Sequence, residues 1–328
     1  MRRLGLRMAL TLALALSLSG CSGIQSALAP AGRGAEQIAK LFWWMAAGAV
    51  VVWCGVILLV IFSIHSEARN KRQTAILIIG GGVIVPTLVL AVLLTYGLSM
   101  IPGMLAPAPP GSIRISVVGE QWWWRIQYEH PSAGTVHLAN EIRLPVGEAA
   151  EFHLTSFDVV HSFWIPALGP KMDMIPGRSN RLTLHPTRVG RFRGICAEYC
   201  GTSHALMAID VVVLEKKEFV AWLARQSQIA ISPVEPIQRQ GHEIFLASGC
   251  GACHSIRGTK ADGVVGPDLT HVGGRLSLGA GILPNDTESL IRWITHTESV
   301  KPGVHMPHFG MLQEEEFRAL AAYLESLK

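Results

Sequence analysis

Two apolar runs, Leu41 to Ile64 and Ala75 to Ile101, limit what this chain can fold into more than any other feature. Each holds about twenty residues or more, enough for a helix to cross a hydrocarbon core of about 30 Å. The segment between them, 65–74, carries Arg69, Lys71 and Arg72. Short basic loops stay on the cytoplasmic side, so everything after the second run is expected to lie outside the cell. A hydrophobic content of 49% agrees with a membrane component. Cys54, inside the first run, reads as a small packing residue.

The N-terminus points to the same topology. Arg2, Arg3 and Arg7 precede a short apolar stretch from Met8 to Leu18, the pattern of an export signal. It ends in Leu18-Ser19-Gly20-Cys21, which resembles the lipobox of bacterial lipoproteins, so residues 1–20 are expected to be a lipoprotein-type signal peptide with a membrane lipid on Cys21. Ordinary cleavage near the same place, with Cys21 a leftover thiol, is the alternative. The net charge of +4 is unevenly spread: residues 1–110 hold eight Lys and Arg against two acids, whereas 232–328 hold eight against eleven. The basic excess belongs to the membrane end, and no folded face concentrates Lys and Arg as a nucleic-acid surface would.

From Gly111 onward the pattern changes to short β-branched and aromatic stretches between Pro and Gly turns, such as 113–118, 151–155 and 209–214, predicting an all-β Greek-key domain over 111–230. Near its end stands Cys196-Ala197-Glu198-Tyr199-Cys200-Gly201-Thr202-Ser203-His204-Ala205-Leu206-Met207. Two thiols, an imidazole and a thioether in so short a span are soft and borderline donors suited to copper. A redox disulfide between Cys196 and Cys200 is a competing reading, but it leaves His204 and Met207 without a role. Zinc is another, although Met is a poor zinc ligand and a second Cys or His pair is missing.

This loop is similar to the CuA loop of cytochrome c oxidase subunit II. Upstream, Asp158-Val159-Val160-His161-Ser162-Phe163-Trp164 resembles the segment giving that family's first histidine ligand, and Lys171-Met172-Asp173-Met174-Ile175-Pro176-Gly177 resembles its usual sequel. The resemblance implies a cupredoxin-like fold in which Cys196 and Cys200 bridge two copper ions and His161 and His204 each bind one. Met207 is then a weak ligand, and Glu198 gives its backbone carbonyl. It also implies that the Glu198 carboxylate reaches a magnesium ion at the boundary with subunit I, a hard ligand for a hard cation. Gly119-Glu120-Gln121-Trp122-Trp123-Trp124 resembles the aromatic stretch through which electrons reach the copper, with Trp122 the candidate. On a strand Trp122 and Trp124 share one face. Packing is the plainer role for such a triplet. The family commonly has His where this chain has Glu120.

Ile231-Ser232-Pro233-Val234-Glu235-Pro236 reads as a linker, and 231–328 as a separate all-α unit. Within it, Cys250-Gly251-Ala252-Cys253-His254 has the spacing that attaches c-type haem. The unit resembles a class-one cytochrome c. That likeness implies Cys250 and Cys253 as thioether anchors, His254 as the proximal ligand and the Pro267 carbonyl as acceptor of its ring hydrogen. It also implies Arg275 against a haem propionate and Met306 as sixth ligand, with His305 and His308 competing. All six cysteines then have places, and none remains for a disulfide.

The expected molecule is a multidomain subunit II of a terminal oxidase: two transmembrane helices within 21–110 (about 41–64 and 75–101), a CuA domain and a fused cytochrome c domain, both on the periplasmic face of the bacterial plasma membrane. Its expected partners are cytochrome c, subunit I and subunit III, and its reaction the passage of electrons toward dioxygen. A copper-bearing subunit of a nitric oxide reductase and a free membrane-anchored electron carrier or copper-binding lipoprotein are the alternatives. Related subunits often carry a glutamate at the start of the second span, where this chain has Gln73, with Glu67 earlier. The Gly80-Gly81-Gly82 run and Pro86 predict close helix packing or a kink there.

Overall fold

The computed structural model describes residues 22–65, 71–130 and 134–328. The expected signal peptide and Cys21 lie outside the described residues. Two helices, Arg33–His65 (33 residues) and Lys71–Leu105 (35 residues), are long and apolar enough to cross a membrane. Both run past the apolar stretches, because helical hydrogen bonding continues through the polar residues that flank them. The expected irregularity in the second takes the form of a π-helical stretch, Ile76–Ile84, which contains the three glycines. Pro86 follows in the first turn of the α-helical remainder, where a missing N–H costs least.

The rest of the described chain, with residues 22–35, forms a second compact unit. Its β part stacks two five-stranded sheets, ordered β3-β2-β1-β5-β8 and β4-β10-β9-β6-β7. The first contains β1 (Ile113–Glu120), β2 (Trp123–His130), β3 (Gly134–Ala139), β5 (Ala150–Ser156) and β8 (Asn180–Leu184); the second contains β4 (Glu141–Pro145), β6 (His161–Trp164), β7 (Met172–Met174), β9 (Gly190–Cys196) and β10 (Ala208–Leu214). Pairing is antiparallel except for β1 with β5 and β4 with β10. The period-two pattern turns Ile115 and Val117, Trp124, Ile126 and Tyr128, and Phe152 and Leu154 into one core. On β9 the same alternation buries Phe192, Gly194 and Cys196. The first thiol of the candidate copper loop therefore enters the core as an ordinary inward-facing strand residue.

Residues 22–35, which the sequence groups with the membrane segment, instead strap onto the sandwich. Ala31 is fully buried, its N–H donates to Ala167 O at 2.7 Å, and its carbonyl accepts from Thr187 N at 2.7 Å. Gly32 lies so close to Leu168 that a Cβ would sit 2.3 Å from the Leu168 oxygen.

The helical part begins at Pro236–Ala247 and closes with Glu314–Ser326, each opened by a capping box, Glu235 with Gln238 and Gln313 with Glu316. These helices cross at Gly241, where a Cβ would lie 2.0 Å from the Ala319 carbonyl oxygen. Phe245, Phe317, Leu320, Tyr323 and Leu324 fill the space between them and Thr287–Thr295. The β and helical parts are docked rather than loosely tethered: Leu276 N donates to Glu141 at 2.8 Å, Ser277 Oγ to Asp210, Ala208 N to Ala280 O at 3.1 Å, and Arg257 Nη2 to Gln226 O at 2.7 Å.

Gly241→Ala is expected to force the two helices apart and destabilise the helical part by about 1–3 kcal/mol, the range for overpacking, read as an earlier denaturant midpoint of that part. Glu151 accepts a hydrogen bond from Ala108 N, which holds its pKa below the usual carboxylate range against the opposing effect of burial. Stability from this carboxylate is present above the unfolded value and is lost as pH falls through the lower folded one. Glu151→Gln should flatten the acid limb of the stability profile in the detergent-solubilised chain.

Candidate metal and haem sites

The β10–β9–β6 region of the second sheet brings the sulfur and nitrogen donors together. Cys196 Sγ lies 3.7 Å from Cys200 Sγ. On the Cys196 side are His161 Nδ1 at 3.7 Å and Glu198 O at 3.2 Å. On the Cys200 side are His204 Nδ1 at 3.5 Å and Met207 Sδ at 3.8 Å. The two sulfurs are not joined, so the disulfide reading has no support in this geometry. A metal–thiolate bond is about 2.3 Å, so any two sulfurs less than about 4.6 Å apart can share an ion. Two thiols, two imidazoles, a thioether and a carbonyl around that gap form a donor set that fits copper. His161, Cys196, Cys200 and Met207 are buried, while His204 is partly open beside the exposed Tyr199 ring.

The electrostatics follow from crowding two thiols in a dry space. The hydrogen bond between the two sulfurs drives their titrations apart, pulling Cys196 well below an ordinary thiol against the effect of burial and pushing Cys200 up. Burial works to lower the His161 pKa, but Cys196 and Asp158 outweigh it and the net shift is upward. Asp158 was missed in the sequence. Its carboxylate lies 2.8 Å from His161 Nε2 and also accepts from Gln121 N at 2.7 Å, orienting the ring so that Nδ1 faces the sulfurs. Gly119 completes the seat, since a Cβ there would lie 2.8 Å from the imidazole.

Trp122 occupies the junction of the two parts of the unit. It is buried, and its Nε1 donates to Cys200 O at 2.9 Å, beside the Gln121 Nε2 bond to the same oxygen at 2.7 Å. The other edge of the indole meets Gly303, where a Cβ would lie 2.9 Å from the ring, and Ser203 Oγ donates to Pro302 O at 2.7 Å. Thus the thiol loop touches the segment that leads to Met306. Glu120 pairs with Arg125 at 2.5 Å, and Arg125 also donates to the carbonyls of Val264 and Val265. Where the family commonly has His, this chain therefore has an acid that steers an interdomain arginine. The Glu198 carboxylate points outward, 3.8 Å from Lys171.

In the helical part, Cys250 and Cys253 are free thiols on a short 3₁₀ turn. His254 Nδ1 lies 2.8 Å from Pro267 O. A carbonyl only accepts, so Nδ1 carries the hydrogen and the Nε2 lone pair is left for a ligand. Burial lowers the His254 pKa and favours this neutral ring. Gly266 must lack a side chain, as a Cβ would sit 2.6 Å from the imidazole. Met306 packs partly buried against the core, whereas His305 and His308 are exposed. Arg275 Nη2 donates to Asp268 O. The thiol pair, a neutral oriented imidazole and an inward thioether fit a covalently held haem.

A soft-donor pocket in a cupredoxin-like sandwich is thus docked to a small helical CxxCH unit in a chain with two long apolar helices, the architecture of a membrane-anchored protein with a folded outer part. Residues 129–214 match the family described as cytochrome c oxidase subunit II, periplasmic domain, and residues 238–328 match cytochrome c. The chain is 40% identical over 217 residues to cytochrome c oxidase subunit 2 of Alkalihalophilus pseudofirmus, covering 66% of this chain and 62% of that one. It is 37% identical over 228 residues to the subunit of the same name from Bacillus sp., covering 66% and 63%. The chain thus spans about three fifths of the length of these curated relatives. Among solved structures, the periplasmic domain of subunit II of cytochrome oxidase from Bradyrhizobium japonicum is 33% identical, covers 38% of this chain and 96% of that one, and has a TM-score of 0.34. The β part thus carries a cytochrome c oxidase subunit II periplasmic domain and the helical part a cytochrome c domain.

Gly119→Ala is expected to displace the His161 ring and weaken metal retention by 10–100-fold, the usual cost of a lost supporting contact, measured by competition with a copper chelator. Asp158→Asn should give a smaller loss of the same kind.

Proposed function

We propose that this chain is the electron-accepting subunit of a terminal cytochrome c oxidase. It takes electrons from cytochrome c and delivers them, through its own two redox sites, to subunit I for reduction of dioxygen to water. The observation that carries this reading is the convergence of His161, Cys196, Glu198 O, Cys200, His204 and Met207 on one gap, beside the segment bearing Met306. When bound, two copper ions and a covalent haem supply one-electron carriers that the amino acids lack.

The residues supply position and dryness. Cys196, Cys200, His161, His204, Met207 and the Glu198 carbonyl would hold the copper, which would supply a one-electron carrier. Asp158 and Gly119 fix the His161 ring, and burial excludes water. Cys250, Cys253, His254 and Met306 would hold the haem, Pro267 orients His254, and Arg275 would offer a cation to a propionate. Trp122 spans the contact between the sites through its bond to Cys200 O and its edge against Gly303. Because Gly303 covers that edge, a soluble donor docks on the cytochrome c domain rather than on Trp122.

The two apolar helices cross the plasma membrane with the basic 65–74 segment inside and both globular domains on the periplasmic face. Cys21 carries lipid. Glu198, outward-facing near Lys171, reaches a magnesium ion at the subunit I boundary, and subunit III completes the assembly.

Metal and haem analysis of the purified complex should give two copper ions and one covalent haem per copy of this chain, with dioxygen uptake driven by reduced cytochrome c. Nitric oxide consumption without dioxygen uptake, or recovery without a large haem-bearing subunit, would defeat the proposal. Trp122→Phe removes a hydrogen bond worth about 1 kcal/mol and should slow electron passage between the two sites by about an order of magnitude while leaving copper content intact.

A further inference from the structure

The cytochrome c domain contains a charge with no counter-charge. Lys301 is 2% exposed, and its Nζ makes one hydrogen bond, to Gly279 O at 2.7 Å. No carboxylate lies within ion-pair distance of it among the described residues. Burial pushes its pKa down to about 7. The charged and titratable groups around it are otherwise engaged or weak partners. Cys200, across the domain contact, favours the ammonium only through space. Both Glu298 oxygens accept from Gly303 N, and Arg193 lies beside Gly281 on the loop that holds Gly279. A buried ammonium on a single carbonyl is costly unless an anion arrives to meet it.

The position of Lys301 indicates the anion. It begins the segment that runs through Gly303 to Met306, and its partner Gly279 lies four residues after Arg275. Arg275 is a second cation that rests on a backbone carbonyl with no carboxylate in ion-pair range among the described residues. A haem brings two propionates, and the fold offers two cations without an ion-paired acid among the described residues, Asp268 and Glu141 acting on Arg275 only through space. We propose that Lys301 is the charge partner of one haem propionate, sharing that task with Arg275. This rests on the reading of residues 231–328 as a covalent haem domain. The competing role is purely structural, with the amine pinning the Gly279 loop.

The experiment uses the full chain in detergent, loaded with haem. Haem content by alkaline pyridine spectroscopy comes first: a wild-type chain without covalent haem defeats the domain reading and not merely this inference. Redox titrations then run from mildly acid to mildly alkaline pH. Wild type should show a nearly flat midpoint potential. Lys301→Met should lower the reduced-to-oxidised ratio at fixed solution potential several-fold and make the midpoint pH-dependent, as an unpaired propionate titrates. Lys301→Gln, which keeps a donor for Gly279 O without charge, should follow Lys301→Met, and Lys301→Arg should restore wild-type behaviour. A Lys301→Gln profile matching wild type, or a Lys301→Met profile unchanged, overturns the proposal. If the variants lose haem, redox-difference infrared spectra of wild type with carboxylate-labelled propionates decide. Bands of an ionised, hydrogen-bonded carboxylate that shift in heavy water support it, and bands of freely solvated propionates overturn it.

Discussion

Two sulfur atoms held 3.7 Å apart in a dry pocket are the constraint around which the β domain is arranged. Such a pair cannot carry two full negative charges in a dry site without a cation to meet them. Everything nearby serves to hold that unfavourable proximity in place. β9 delivers Cys196 inward by strand parity. The turn through Gly201, at φ +110, returns the chain so that Cys200 faces it. Backbone bonds from Cys196 N to Met207 O and from Ala197 N to Ser162 O fasten the loop to its neighbours. His161 is brought in from β6, a different hairpin, and kept in orientation by Asp158.

The two domains meet through a set of polar contacts that enclose an aromatic side chain. Short bonds from Ser203, Arg125, Glu141 and Asp210 fix the cytochrome c domain against the copper-type domain, and Trp122 is enclosed where they meet. Glu120 pairs with Arg125, and Arg125 in turn ties the β domain to the Val264–Val265 loop next to Gly266.

The parts of the site that lie close in sequence were legible there. Cys196 to Met207 and Cys250 to His254 stand out because their candidate donors and thiols fall within one loop or turn, where spacing is visible without the fold. The membrane helices are equally plain, since a long apolar run has few other uses. Asp158 was not legible, because an acid three residues before a histidine is common and only the turn into β6 aims it at the ring. Gly119 was hidden for a related reason: its lack of a side chain matters only because β1 passes directly over His161. The attachment of residues 22–35 to the sandwich was misassigned to the membrane segment, as a stretch of small residues carries no strong pattern until Leu168 and Pro186 are seen beside it.

The amino-acid sequence alone determined the inventory: two long apolar helices, a soft-donor loop, a CxxCH turn, and the strand and helix periods that separate the two globular domains. Those are properties of neighbouring residues and need no long-range contact. Only the tertiary structure decided that His161 meets Cys196, that Trp122 bridges Cys200 and Gly303, and that Lys301 is buried without an acid. Each joins segments tens of residues or more apart, and their closeness is set by how sheets and helices pack rather than by any local preference of the chain.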